Sequence, residues 1–157
     1  MARRVGATIV LMATGMMALS ADFERELRAS ADPERARNEK AYLKSDLEFI
    51  GVAFFEVGRR IKALMREHPI ERDETLALAE DLWRPPIFEL RAAAVEVLSR
   101  REKTLSAADL PFLERLIRES GTWALVDGLA GDVAGAVVVR EPEAAAPVLD
   151  RWAADPE

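Results

Sequence analysis

The residues best suited to chemistry are a tryptophan and an aspartate that stand four positions apart in an apolar run. Trp123 and Asp127 lie within residues 121–130, where the composition favours a helix. Side chains at positions i and i+4 share one face of a helix, so the indole and the carboxylate project side by side. An aromatic face and a carboxylate both attract positive charge. The spacing therefore predicts either a small site for a cationic group or a coincidence of packing.

Both residues also have an ordinary structural explanation. A tryptophan on an apolar helix usually packs into the core, and an aspartate on the polar edge of a helix is usually just solvated. Asp127 is harder to dismiss than Trp123, because burying an unpaired carboxylate among Leu125 and Leu129 would be costly. The residues around the pair must decide between these alternatives.

Composition limits the class of protein. The chain has 157 residues, half of them hydrophobic, which fits one domain with a substantial core. Because it has no cysteine, it can form neither disulfides nor thiolate metal sites, which suits a reducing compartment such as the cytoplasm. The formal charge of −6 argues against a uniformly basic nucleic-acid binder and leaves local basic patches open.

The first 17 residues form a segment of their own. Arg3 and Arg4 precede an almost uncharged run over residues 5–19, and small residues follow it. This is the outline of a secretory signal peptide, and it is short for a membrane span. Met16 and Met17 offer a second explanation, in which translation starts there and the upstream residues are not native. A genuine extra helix is the third.

From residue 22 onward the pattern is helical almost throughout. Residues 45–52 are the exception, and Gly51 predicts a turn there. Caps, prolines and apolar spacing predict where the helices start. We expect starts at Asp22, at Pro33 after a cap at Asp32, and near residues 54, 72 and 87. Further helices should follow a capping box at residues 106–109 and a cap at Thr122, and the last should start at Pro142. Short paired helices of this kind predict an all-α solenoid of HEAT-like helical hairpins.

A series of motifs connects the chain to a known family. In order they are YLKSDLEFIGV at residues 42–52, Arg59-Arg60, Leu82-Trp83, ELRAAA at residues 89–94, and TWALVD at residues 122–127. This series resembles the AlkD-like DNA alkylation repair proteins over residues 18–157, and leaves residues 1–17 outside the domain.

The resemblance implies a fold, an activity and a set of site residues. Such proteins are HEAT-like solenoids that grip duplex DNA by its backbone and hydrolyse the N-glycosidic bond of N3- or N7-alkylated purines. Asp127 would stabilise the cationic sugar and position water, and Trp123 would form an aromatic wall beside it. The DNA contacts that we expect are Lys44, Arg59, Arg60 and Arg91. The resemblance also implies a cytoplasmic monomer that acts on DNA containing alkylated bases, without a metal, a cofactor or a membrane.

One departure from the family pattern bears on activity. The family continues into a Trp-x-Arg-Arg helix and, further on, supplies another tryptophan of the site, whereas this sequence ends at Asp155-Pro156-Glu157. We therefore expect a solenoid that is incomplete at its C-terminal end and lacks the catalytic arginine. The alternative function is a non-catalytic helical-repeat scaffold that binds DNA or protein.

Overall fold

The computed structural model describes the backbone of residues 2–156 and the side chains of residues 14–156. The segment predicted to be a non-native start or a signal, residues 1–17, therefore lies partly outside the described residues. That residues 1–17 are a non-native start or a signal peptide stays a prediction. Among the described residues, no helix is long and apolar enough to cross a bilayer.

The described part of the chain is helical, with short connections. The α-helices are α1 (Ala2–Arg28), α2 (Pro33–Leu43), α3 (Phe54–Glu67), α4 (Arg72–Trp83), α5 (Phe88–Arg100), α6 (Leu110–Glu119), α7 (Trp123–Asp127), α8 (Gly135–Arg140) and α9 (Pro142–Ala153). A π-helical segment, Gly128–Ala134, joins α7 to α8, so that residues 123–140 form one continuous rod. The predicted all-α helical-repeat fold is confirmed.

Most helix boundaries follow from local chemistry. Asp32 caps α2 by accepting hydrogen bonds from two backbone N–H groups, and Pro33 occupies the first turn. Ser106 and Asp109 form the predicted capping box ahead of α6. The predicted helix start at Asp22 is wrong, because α1 runs through it without a break. Asp22 instead forms an exposed ion pair with Arg25, one turn later in the same helix.

Helix α5 packs against several other elements. It contacts α4, α3 and the rod over residues 123–140, and α4 in turn packs against α1. Gly58 of α3 lies against Glu96 of α5, and Gly128 of the rod lies against Val95 of α5. The side chains of α5 therefore determine how α3 and the rod are placed.

A buried carboxylate near the start of α5 holds the loop between α2 and α3. Glu89 is fully buried, and its two carboxylate oxygens accept hydrogen bonds from the backbone N–H groups of Ile50, Gly51 and Val52, at 3.0, 2.6 and 3.3 Å. Gly51 has φ +91°, and a Cβ there would lie 2.0 Å from the Asp32 carbonyl oxygen. The chain turns at Lys44 and bends at Leu47 rather than at Gly51, so the turn predicted at Gly51 is wrong in its position, although residue 51 still requires glycine.

We expect Glu89→Gln to destabilise the fold by about 1–3 kcal/mol. The substitution removes the charge that strengthens three hydrogen bonds and presents an amide NH2 to backbone donors. The midpoint of urea unfolding measures this loss of stability, provided that the dependence of the unfolding free energy on urea concentration is unchanged. Glu67→Gln, at an exposed position on α3, is the matched control and should change stability by less than about 0.5 kcal/mol. Equal midpoints for the two variants would contradict the role given to Glu89.

Candidate functional site

Trp123 and Asp127 both face solvent. Trp123 begins α7 and Asp127 ends it, so the two side chains share one helical face, as the spacing predicts. Trp123 is 55% exposed, which excludes core packing as its explanation. Asp127 is exposed as well, and among the described residues no hydrogen bond or ion pair to its carboxylate is present. The pair thus presents an open carboxylate beside an open indole.

The structure adds a second aromatic residue to this pair. Tyr42, in the last turn of α2, meets Trp123 edge to face, with ring centroids 6.3 Å apart and planes at 75°. Tyr42 is 73% exposed. Sequence reasoning placed Tyr42 in a family motif but not in the site, because a contact between positions 42 and 123 depends on tertiary packing. We call Tyr42, Trp123 and Asp127 the aromatic-acid cluster.

The turn before α7 sets the direction of its first residues. Gly121 has φ +66°, the left-handed conformation that glycine tolerates. Thr122 occupies the N-cap position, as predicted, but its side chain makes no capping hydrogen bond. Its hydroxyl is buried and has no hydrogen-bond partner among the described residues. The expected cap is therefore wrong in its chemistry, and the turn is held by other contacts.

The π-helical segment begins at the residue after Asp127. In a π-helix each carbonyl bonds five residues ahead, so the rod is wider there, and such segments recur at functional sites. A Cβ on Gly128 would lie 2.7 Å from Cγ1 of Val95, so glycine permits the close approach of the rod to α5. Gly131, in the same segment, has no neighbour within 4 Å of a Cβ position. Packing on α5 therefore places Asp127 through Gly128.

Two of the predicted DNA contacts, Lys44 and Arg59, differ in whether they already form an ion pair within the protein. Lys44 follows α2 with φ 49° and is exposed, and among the described residues it makes no ion pair. The Arg59 side chain is 72% exposed but pairs with Glu56, one turn earlier in α3, at 2.7 Å. Hydrogen bonds from Arg59 and then from Arg60 lower the pKa of Glu56 to about 2. A phosphate would have to compete with Glu56 for Arg59.

The other two predicted contacts have roles inside the protein. Arg60 donates to Glu56, to the carbonyl oxygen of Glu26 at 3.0 Å and to the hydroxyl of Ser30 at 2.9 Å, and so joins α3 to α1. Arg91 is half-buried, and its guanidinium stacks over the Trp83 ring. Burial lowers the pKa of Arg91, which nevertheless remains charged at neutral pH. Both side chains would have to contact DNA while keeping these partners.

The aromatic-acid cluster is an open surface rather than a pocket. A cavity of about 440 Å³ lies elsewhere, against residues of α6, the π segment and α9, including Ile117, Ala130 and Trp152. Among the described residues, no group of acidic or histidine side chains is arranged to hold a metal ion. An open carboxylate beside an exposed indole can stabilise a cation once a large partner covers it and excludes water.

We expect Gly128→Ala and Gly131→Ala to have opposite effects on stability. The first should cost about 1–3 kcal/mol, because the new methyl group collides with Val95 on a packed helix. The second meets open space and should be neutral or stabilising by up to about 1 kcal/mol. Thermal unfolding of both variants beside the parent protein measures the difference, and a similar loss in both would contradict the packing described for Gly128.

Comparison with known proteins assigns the chain to a family. A search of curated proteins found no match to this chain. The sequence profile described as DNA alkylation repair enzyme matches residues 23–157, which include α2 to α9 and every residue of the aromatic-acid cluster. The chain therefore belongs to the DNA alkylation repair enzyme family.

Proposed function

We propose that this protein is a DNA glycosylase that releases N3- or N7-alkylated purines from duplex DNA by hydrolysing the N-glycosidic bond. The observation that carries the proposal is the exposed, unpaired carboxylate of Asp127 beside Trp123 in a member of a DNA alkylation repair family. An alkylated purine already carries positive charge, so its bond to the sugar is weak. The protein has to stabilise the sugar cation that develops and to supply water.

Asp127 meets this requirement only when DNA covers it. In bulk water a carboxylate stabilises a cation 4 Å away by about 1 kcal/mol, and at the effective dielectric of a covered protein surface by about 4 kcal/mol. The second value corresponds to about a thousandfold in rate. The exposure of Asp127 supports this arrangement, because an aspartate already paired within the protein would have little attraction left for the sugar.

The aromatic rings supply the walls of the proposed site. The indole of Trp123 presents a face to a cationic sugar or base, a contact that becomes stronger as water is excluded. Tyr42 lies against that indole edge to face and extends the aromatic surface. We propose that Lys44 and Arg59 contact phosphates, with Arg60 and Arg91 as further predicted contacts beside their protein partners.

The experiment is release of methylated purine from methylated duplex DNA by the parent protein and by Asp127→Asn. We expect the substitution to slow release by about 10²- to 10³-fold, since it removes the charge that opposes the sugar cation. Asp127 is solvent-exposed, so the variant should fold and melt like the parent.

Asp132→Asn is the matched control, because Asp132 is exposed in the π segment that follows Asp127. It should release purine at the parental rate. Equal rates for Asp127→Asn and the parent would refute the catalytic role. Binding of duplex DNA by folded parent protein without any release would support the alternative, a non-catalytic scaffold.

A further inference from the structure

Arg91 lies at the junction of three helices. Its guanidinium stacks over the ring of Trp83 in α4, with the central carbon 4.8 Å from the ring centroid. Its Nη1 atom donates to the backbone carbonyl oxygen of Glu119 at 2.5 Å. Trp83 donates in turn from its indole nitrogen to the Glu119 carboxylate at 2.9 Å. Besides its ion pair with Arg115 in the same helix, the last residue of α6 is therefore held by two residues of other helices, through its carbonyl by Arg91 and through its side chain by Trp83.

Glu119 is where the chain leaves α6 for the aromatic-acid cluster. Only residues 120–122 separate it from Trp123. Within these residues, Ser120 is fully buried and bonds back to the Leu116 carbonyl oxygen, and Gly121 turns the chain. Because Thr122 provides no side-chain cap, the Glu119 carbonyl is, among the residues that the structure describes, the last point before Trp123 at which a side chain from another helix binds the backbone.

The same end of α5 also holds the other side of the cluster. Glu89, two residues before Arg91, binds the loop that follows Tyr42 and Lys44. That loop meets the turn before α7, since a Cβ on Gly121 would lie 4.0 Å from both Ser45 and Leu47. The first turn of α5 thus fixes both segments that bring Tyr42 and Trp123 together.

We infer that Arg91 is a positioning residue for the aromatic-acid cluster. It holds the α6–α7 turn so that Trp123 meets Tyr42 and the helix carrying Asp127 starts in the required direction. The role depends on the planar shape of guanidinium, which stacks on Trp83 and donates to the carbonyl at the same time. A lysine has no planar group to stack, so it can replace only the donor.

The chain offers a direct probe of this geometry. Tyr42 is its only tyrosine, so 3-fluorotyrosine labels that ring alone. The fluorine resonance senses the ring current of Trp123, and Trp123→Ala gives the reference resonance of the Tyr42 ring without its indole neighbour. We expect Arg91→Met, which keeps the apolar stem, to move the resonance toward that reference. Arg91→Lys should move it part of the way.

Arg101→Met is the matched control. Arg101 follows α5 and, like Arg91, donates to a backbone carbonyl oxygen at 2.5 Å, that of Ile70, and has a buried Nε atom without a partner. It should leave the resonance unchanged. An unchanged resonance in folded Arg91→Met would overturn the inference. If that variant does not fold, Arg91→Lys decides, and a resonance identical to that of the parent would overturn it.

A second readout rests on the proposed function. If Arg91 acts through Trp123, Arg91→Met should lower the single-turnover rate of purine release by about tenfold, as expected for a misplaced catalytic group. Its affinity for unmodified duplex is measured alongside, because Arg91 is also a predicted phosphate contact. Weaker binding with an unchanged fluorine resonance would instead make Arg91 a phosphate contact and overturn the positioning role. If the parent protein releases no purine, the proposed function fails while the fluorine result still stands.

Discussion

The arrangement of this protein depends on one buried carboxylate. Glu89 has no access to water, and burying a charge without partners would cost many kcal/mol. Three backbone N–H groups of the loop between α2 and α3 offset that cost through charge-assisted hydrogen bonds. Loop and helix therefore stabilise each other, and α2 is held where Tyr42 reaches Trp123, 81 residues further along the chain.

Local chemistry predicted the elements well, because caps, prolines and apolar spacing act within a few residues. The sequence placed the starts of α2, α4 and α9 where they are observed, and identified Trp123 and Asp127 as partners on one face. It could not reveal the Tyr42 contact or the partners of Arg60 and Arg91, since each joins helices distant in sequence. The predicted helix start at Asp22 was wrong because an aspartate that can cap a helix can also lie in the interior of a helix.

The exposed state of the aromatic-acid cluster has a consequence for how it would act. An open carboxylate in water exerts a weak field, so the free protein would be poorly suited to catalysis. A DNA duplex lying over Tyr42, Trp123 and Asp127 would bring the sugar cation to this surface and would remove water from it at the same time. Substrate binding and electrostatic stabilisation would then be one event, while α5 keeps the rings and the carboxylate in place beforehand.

In the proposed function, the cluster assists the departure of a base that is already cationic and does not activate a neutral one. The direct measurement uses one duplex carrying N7-methylguanine and a second carrying neutral hypoxanthine at the same position, each incubated with the protein and without it. We expect faster release of methylguanine than occurs spontaneously and no acceleration for hypoxanthine. Equal acceleration of both bases, or none for methylguanine with folded protein, would contradict it.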